Sequence, residues 1–303
     1  MNLAVDAASL KRLMEALEEA LAETDQFLAR VGNEPAQDST AALELASFPK
    51  RGLVLTAYSQ ADMLLEVGSE LVTCFIRTCA EPALPIASWS SVRGVIEPCA
   101  LATWLLDPSI NVRTRVKRSF ALRFEGLDQQ VKMMRAAHRV ENIEAISRRV
   151  DEVEQEAISL GYEAITNRDG QRTGIGQVMP SITSIVGETL DEEVAYRILS
   201  AVTHAHHWAV RRLNFDILPM DDPAINPSAI APGLRALKKA AKPGCFVYLA
   251  DQAMKAFTRP VLCKTKLFGG DYGLLGARIK FHNQRVTELS KAVGFVPERE
   301  KSG

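Results

Sequence analysis

The sequence predicts an all-α fold, a helical bundle with additional helices at its N- and C-terminal ends. Apolar residues recur three and four positions apart over most of the 303-residue chain, which is the period of an α-helix. Alternating hairpin patterns, a βαβ rhythm and internal repeats are all missing from the sequence. With 47% hydrophobic and 24% charged residues, the composition is that of a globular protein with a sizeable core.

The chain begins with two predicted helices. The first covers residues 9–31, where Ser9 serves as the N-cap and the polar stretch 32–40 follows the last turn. The second covers residues 53–79, where an apolar stripe continues without interruption. We expect this long second helix to lie at the centre of the bundle.

Two further helical segments lead to the middle of the chain. Residues 86–106 form the first, with a kink predicted about one turn before Pro98, because proline cannot donate to the helical ladder. Asp107 and Pro108 end this helix. Residues 112–160 then form either one long helix or two helices that meet near Arg139.

The second half of the chain combines irregular stretches with helices. Residues 166–180 are rich in glycine, asparagine and aspartate and predict a loop, and residues 216–233 contain four prolines. Helices are predicted beyond the histidine-rich segment at 234–241, 246–257 and 274–293. We therefore divide the chain into a helical bundle with its N-terminal helix over 1–215 and a proline-rich connection with a helical extension over 216–303.

Composition also restricts the compartment and the partners. The sequence has no run of about 18 apolar residues and its five cysteines show no CxxC spacing, so we expect a cytoplasmic protein without membrane contact or disulfides. A formal net charge of −1 argues against nucleic-acid binding through overall charge. Residues 235–285 nevertheless carry eleven Lys and Arg against two acids, which gives either solvated helix faces or a local basic surface.

The segment 194–212 holds three of the five histidines and is predicted to form one continuous helix. Its polar side chains align on one flank, which comprises Glu193, Arg197, Ser200, His204, His207 and Arg211. Apolar residues, including Val194 and Trp208, fill the arc that is predicted to face the core. We expect all three tryptophans, Trp89, Trp104 and Trp208, to lie in the core rather than to stack on nucleic-acid bases.

The run Arg197–Ile–Leu–Ser–Ala–Val–Thr–His204 resembles the Arg-x(4–6)-His signature of HEPN domains, which are helical bundles of prokaryotic toxins and defence proteins. The wider run YRILSAVTH, with 93-RGVIE-97 and 104-WLLDP-108, is also similar to uncharacterised bacterial proteins of HEPN-like type, over about residues 53–213. The resemblance implies RNA cleavage without a metal, by arginine and histidine brought together in a dimer. Many active members have a polar residue directly after the arginine, where this chain has Ile198.

Only Arg197 and His204 match the signature, and we assign them as catalytic residues. Histidine titrates in the range needed for proton transfer, and the guanidinium fork of arginine suits phosphate oxygens. The auxiliary candidates are Ser200, His207, Arg211, Glu193, Arg93 and Glu97. Arg93 and Glu97, one helical turn apart, form either a buried ion pair that fixes helix register or a pair that orients the Arg197/His204 site.

Purely structural roles for the same residues stay open. Arg197 can pair with Glu193 one turn earlier, and His204 can form a hydrogen bond inside the bundle. Because only His204 and His207 would share a helix face, we expect no metal site, and we expect no cofactor. The sequence thus predicts an RNase of a toxin or phage-defence system, with RNA, a second copy and an antitoxin or other protein as partners. The alternative is a catalytically inactive HEPN-like interaction or scaffold module.

Overall fold

The predicted all-α fold class is confirmed. The structure is a computed structural model that describes residues 7–218, 223, 236–240 and 242–292, and these residues form eleven helices and two small sheets. Among them, no helix is both long and apolar enough to cross a membrane.

The elements follow one another in a simple order. The helices are α1 (Ala7–Val31), α2 (Thr40–Ser47), α3 (Arg51–Thr78), α4 (Pro85–Leu106), α5 (Val112–Ala136), α6 (Val140–Ile158), α7 (Ile182–Leu190), α8 (Glu193–Thr203), α9 (His207–Asn214), α10 (Pro243–Phe268) and α11 (Tyr272–Ala292). The strands are β1 (Ala164–Thr166), β2 (Arg172–Ile175), β3 (Gln177–Val178), β4 (Phe215–Ile217) and β5 (Leu237–Lys239).

Helix α4 lies at the centre of the packing, surrounded by α3, α7, α8 and α10. It is apolar on nearly all sides, which is the pattern of a helix enclosed by others. The two tryptophans of α4, Trp89 and Trp104, are buried as predicted. Pro98 lies inside α4. The long helix α3, expected at the centre, packs along one side of α4, where Gly68 allows the close approach of Cys99.

The segment 112–160 forms two helices, so the second of the two alternatives is correct. Helix α5 ends at Ala136, and His138 then adopts a left-handed conformation with φ 55°. The N–H of Arg139 donates to the carbonyl oxygen of Met134 at 2.9 Å, which satisfies an acceptor at the end of α5. The helix break therefore falls at the predicted position.

Helix α2 was missed in the sequence. Its N-cap, Ser39, belongs to the polar stretch that follows α1, and its Oγ accepts a hydrogen bond from the N–H of Ala42 at 3.2 Å. The helix has eight residues, which is too short for a clear periodic stripe.

Two predictions about strands were wrong. Within 166–180, predicted as a loop, β2 lies between β1 and β3 and pairs antiparallel with both. Gly174 of β2 allows the close approach of β3, because an added Cβ would lie 2.4 Å from the carbonyl oxygen of Gln177. Within 234–241, predicted as a helix, residues 237–239 form β5, which pairs antiparallel with β4. Pairing between distant segments overrides the local pattern there.

The C-terminal helices are longer than predicted. Helix α10 continues to Phe268 through Pro260 instead of ending at residue 257, and α11 covers Tyr272–Ala292. Helix α10 packs on α4, α3 and α1, and α11 packs on α1. Apart from residues 216–218 and 223, the predicted proline-rich connection at 216–233 lies outside the described residues.

Candidate functional site

The predicted histidine helix consists of two helices, so the prediction of one continuous helix was wrong. Helix α8 ends at Thr203 and α9 begins at His207. Between them, Ala205 adopts a left-handed conformation with φ 56°, and the N–H of His206 donates back to the carbonyl oxygen of Ala201 at 2.8 Å. This is the hydrogen-bond pattern of a Schellman motif, which ends a helix and redirects the chain.

The break divides the predicted polar line. His204 is the C-cap of α8, and its N–H still donates to the carbonyl oxygen of Ser200 at 2.9 Å, so the helical path reaches His204. Arg197 and His204, seven positions apart, therefore keep to one side of the last two turns of α8. His207 and Arg211 belong to α9 and leave this line, which corrects their predicted alignment with Arg197.

Arg197 forms the predicted ion pair with Glu193. The Nη2 and Nε atoms of Arg197 lie 2.7 and 2.9 Å from Oε1 of Glu193, one turn earlier in α8. The Arg197 side chain is 66% exposed. Because water competes with such an exposed pair, the pair contributes little to stability, and an anion can exchange for the carboxylate.

His204 lies on the surface, so a hydrogen bond from its side chain inside the bundle is ruled out. It begins a run of five consecutive exposed residues, 204–208, that contains three histidines and one tryptophan. Within the described part of the chain, no group of three or more His, Cys, Asp or Glu residues is arranged to hold a metal ion.

Arg93 and Glu97 of α4 form the predicted ion pair, with Arg93 Nη2 2.7 Å from Glu97 Oε1. Their side chains are 24% and 32% exposed, so the ion pair is partly buried. Arg93 Nε also donates to Oγ of Ser200 at 3.1 Å, and its Nη2 donates to the hydroxyl of Tyr196 at 3.3 Å. The Tyr196 hydroxyl in turn donates to Glu97 Oε1 at 2.7 Å. These four side chains connect α4 to α8.

On α8, the Arg93–Glu97 pair contacts Ser200 and Tyr196, and these contacts hold α8 against α4. An orienting role of the pair toward Arg197 and His204 stays a prediction. Ser200 is thereby engaged with α4. The pKa of the Tyr196 hydroxyl is raised, mainly because the side chain is partly buried and also because it donates a hydrogen bond to Glu97. Tyr196 therefore remains a neutral donor. Sequence reasoning missed Tyr196 because its position lies among the apolar residues of α8.

A cleft of about 430 Å³ lies beside this network. It is bordered by α4, α5 and the start of α7, and it combines two carboxylates with apolar side chains. The lining residues are Glu97, Leu101, Leu122, Glu125, Met179, Pro180, Ser181, Ile182 and Ile185. Glu97 therefore joins the α4–α8 network to the wall of the cleft.

Trp208 was predicted in the core, and this prediction was wrong. Its side chain is 59% exposed on α9, because the turn at Ala205 redirects the helix that carries it. Val194, predicted on the same apolar arc, is 73% exposed. The surface around Arg197 and His204 thus carries apolar groups at both ends.

Compared with models of protein families, with curated proteins and with solved structures, the chain matches none.

Proposed function

We propose that the protein cleaves RNA without a metal, through Arg197 and His204 at an interface between two copies of the chain. The observation that supports this proposal is the exposure of both side chains on one side of the last two turns of α8. On the strength of the HEPN resemblance, we propose that this activity serves a toxin or phage-defence system, with an antitoxin or another protein as a further partner.

The chemistry needs two proton transfers and one stabilised phosphate. The 2′-oxygen of the RNA attacks the neighbouring phosphorus while the bond from phosphorus to the 5′-oxygen breaks. His204 of one copy accepts the proton of the 2′-hydroxyl, and protonated His204 of the other copy donates a proton to the departing 5′-oxygen. Arg197 exchanges Glu193 for the phosphate oxygens and stabilises their developing charge. The products are a 2′,3′-cyclic phosphate and a free 5′-hydroxyl.

A second copy supplies what a single chain lacks. On the isolated surface, water surrounds Arg197 and His204, which weakens electrostatic stabilisation of a phosphate. The exposed side chain of Val194 lies in the first turn of α8, near Arg197, and offers apolar area that a second copy would cover. Pairing two α8 helices here would exclude water from both catalytic pairs.

Cleavage of a fluorescently labelled single-stranded RNA in the presence of EDTA tests the proposal. We expect His204→Ala and Arg197→Ala each to lower the rate about a hundredfold or more. His206→Ala is the matched control, because His206 is also exposed but lies beyond the end of α8. Wild-type cleavage by the His204→Ala protein would refute the assignment.

The second candidate is an interaction module without catalysis. It is favoured by the ion pair that already occupies the Arg197 guanidinium and by Ile198, where many active members of the resembled family have a polar residue. A wild-type protein that dimerises through α8 but cleaves no RNA would support this candidate. Light scattering on the wild type and on Val194→Asp measures dimerisation separately from cleavage.

A further inference from the structure

Helix α9 presents a cationic and aromatic outer face that the proposed cleavage does not use. His207, Trp208, Arg211 and Arg212 are exposed, whereas Ala209 and Asn214 are buried against the rest of the molecule. Positions three and four apart lie next to each other on a helix, so Trp208 is adjacent to both arginines. An exposed tryptophan beside two cations is an unusual composition for a simple solvated face.

Strand β5 lies near the C-terminal end of α9 and carries two exposed lysines, Lys238 and Lys239. Helix α9 continues directly into β4, which pairs with β5 so that Phe215 is opposite Lys239 and Asp216 is opposite Lys238. Lys242, just after β5, donates from Nζ to the carbonyl oxygens of Arg212 at 2.9 Å and Phe215 at 3.1 Å. These contacts hold the lysine-rich segment at the C-terminal end of α9.

Neither Arg211 nor Arg212 of α9 forms an ion pair with a described carboxylate. Asp216, the nearby carboxylate on β4, lies 3.4 Å from Lys242 Nζ. Within the described ranges, no ion pair joins a carboxylate to Arg211, Arg212, Lys238 or Lys239. Arg211 and Arg212 therefore form a local positive surface beside Trp208, on a chain whose formal net charge is −1. Successive side chains of a strand point to opposite faces, so at most one of Lys238 and Lys239 shares that surface.

We infer that α9 forms a binding surface for single-stranded nucleic acid. Arg211 and Arg212 contact phosphates, and the indole of Trp208 stacks on an unpaired base. A duplex keeps its base faces covered, so it can use the cations but not the indole. The inference does not require that Arg197 and His204 cleave RNA, because the surface lies beyond the end of α8.

Binding of a fluorescein-labelled single-stranded oligouridine, followed by fluorescence anisotropy in EDTA, tests this inference. All proteins carry His204→Ala, so that cleavage cannot interfere and a failure of the cleavage proposal leaves the binding result intact. We expect Trp208→Ala to weaken binding at least about fivefold. We expect Arg211→Glu/Arg212→Glu to weaken it about tenfold or more and to flatten its dependence on salt.

Two matched controls separate a site from general effects. Arg148→Glu/Arg149→Glu changes the net charge equally on an adjacent, exposed arginine pair of α6, and Phe281→Ala removes an exposed aromatic ring from α11. Both controls should bind like the parent protein. Equal loss of binding in the α6 control and the α9 variant would overturn the inference.

Binding affinities for an RNA duplex and for a polyanion identify the class of ligand. We expect the single strand to bind at least about fivefold more tightly than an RNA duplex of equal length, and Trp208→Ala to remove most of that preference. Inorganic polyphosphate that binds as tightly as the oligonucleotide, with no effect of Trp208→Ala, would instead identify a general polyanion surface and overturn the inference. Circular dichroism and thermal unfolding establish that every variant is folded.

Discussion

The guanidinium of Arg115 forms a two-point salt bridge with the carboxylate of Glu44 in the core. Nε of Arg115 lies 2.8 Å from Oε2 of Glu44, and Nη2 lies 3.1 Å from Oε1. The two side chains are 0% and 8% exposed. Arg115 also donates to the carbonyl oxygens of Leu105 and Asp107, and the hydroxyl of Tyr58 donates to Glu44. Four helices, α2 to α5, therefore meet at one buried charge pair.

Removing one partner of this pair should destabilise the fold strongly. Glu44→Leu leaves the Arg115 charge buried without its partner, and Arg115→Met does the same to Glu44. We expect each variant to lose about 3–5 kcal/mol of unfolding free energy in urea titrations. The double variant replaces the pair with apolar side chains, so it should lose less than either single variant. A double variant that loses as much unfolding free energy as the two single variants combined, or more than either of them, would contradict this account.

The close contact of α3 with α4 depends on Gly68. A Cβ at this position would lie 2.8 Å from Sγ of Cys99. Gly68→Ala should therefore lose stability, because overpacking costs about 1–3 kcal/mol and exceeds a gain of about 1 kcal/mol in helix propensity. In a Cys99→Ala background the sulfur is gone, and the same substitution should be neutral or stabilising. A double-mutant cycle by chemical denaturation measures the coupling between positions 68 and 99. Additive changes in unfolding free energy for the two substitutions would show that the predicted contact does not exist.

The contact between α1 and α11 should weaken in acid. Arg278 donates from Nε to Oε1 of Glu23 at 2.5 Å, and Nε2 of His282 lies 2.6 Å from Oε2. The hydrogen bond from Arg278, together with the one from His282, lowers the pKa of Glu23 from about 4.5 to about 2. Since the folded-state pKa is depressed, the stabilisation is fully present above pH 4.5 and is lost as the pH falls towards 2.

Glu23→Gln measures that contribution. The variant should be less stable than the wild type by about 1 kcal/mol at neutral pH, since the ion pair is partly exposed. The difference should shrink below pH 4.5 and vanish near pH 2. Glu18→Gln is the control, because Glu18 is exposed on α1 and forms no ion pair with any described residue. A stability difference for Glu23→Gln that stays constant from pH 7 to 2 would contradict the assigned cause.

Helical periodicity predicted the fold class because it reports which side chains are buried, and the buried stripes of α1 and α3 follow it. It could not predict β5, since Leu237–Lys239 becomes a strand only by pairing with β4. Within the candidate site, the Arg197–Glu193 and Arg93–Glu97 pairs were predictable because each lies within one helical turn. The role of Tyr196 in the hydrogen-bond network could not be predicted, because it depends on the packing of α8 against α4, which no local sequence pattern reveals.

The end of α8 was missed for a different reason. Helices commonly end at a glycine in the left-handed conformation, and that signal is missing here because alanine occupies the position. His138 hides the end of α5 in the same way, although the break near it was one of two alternatives considered. A continuous helix therefore matched the sequence of 194–212, and the predicted positions of His207, Trp208 and Arg211 followed from it.

Ala205→Gly distinguishes the broken helix from a continuous one by the sign of its effect. At φ 56°, alanine is strained and glycine is not, and the exposed methyl group of Ala205 contributes little packing. We expect Ala205→Gly to raise the unfolding free energy by up to about 1 kcal/mol in denaturant titrations. In a continuous helix the same change would lower it by about 1 kcal/mol, as we expect for the control Ala145→Gly at an exposed position inside α6. Equal losses in the two variants would place Ala205 inside a helix and restore His207 and Arg211 to the line of Arg197.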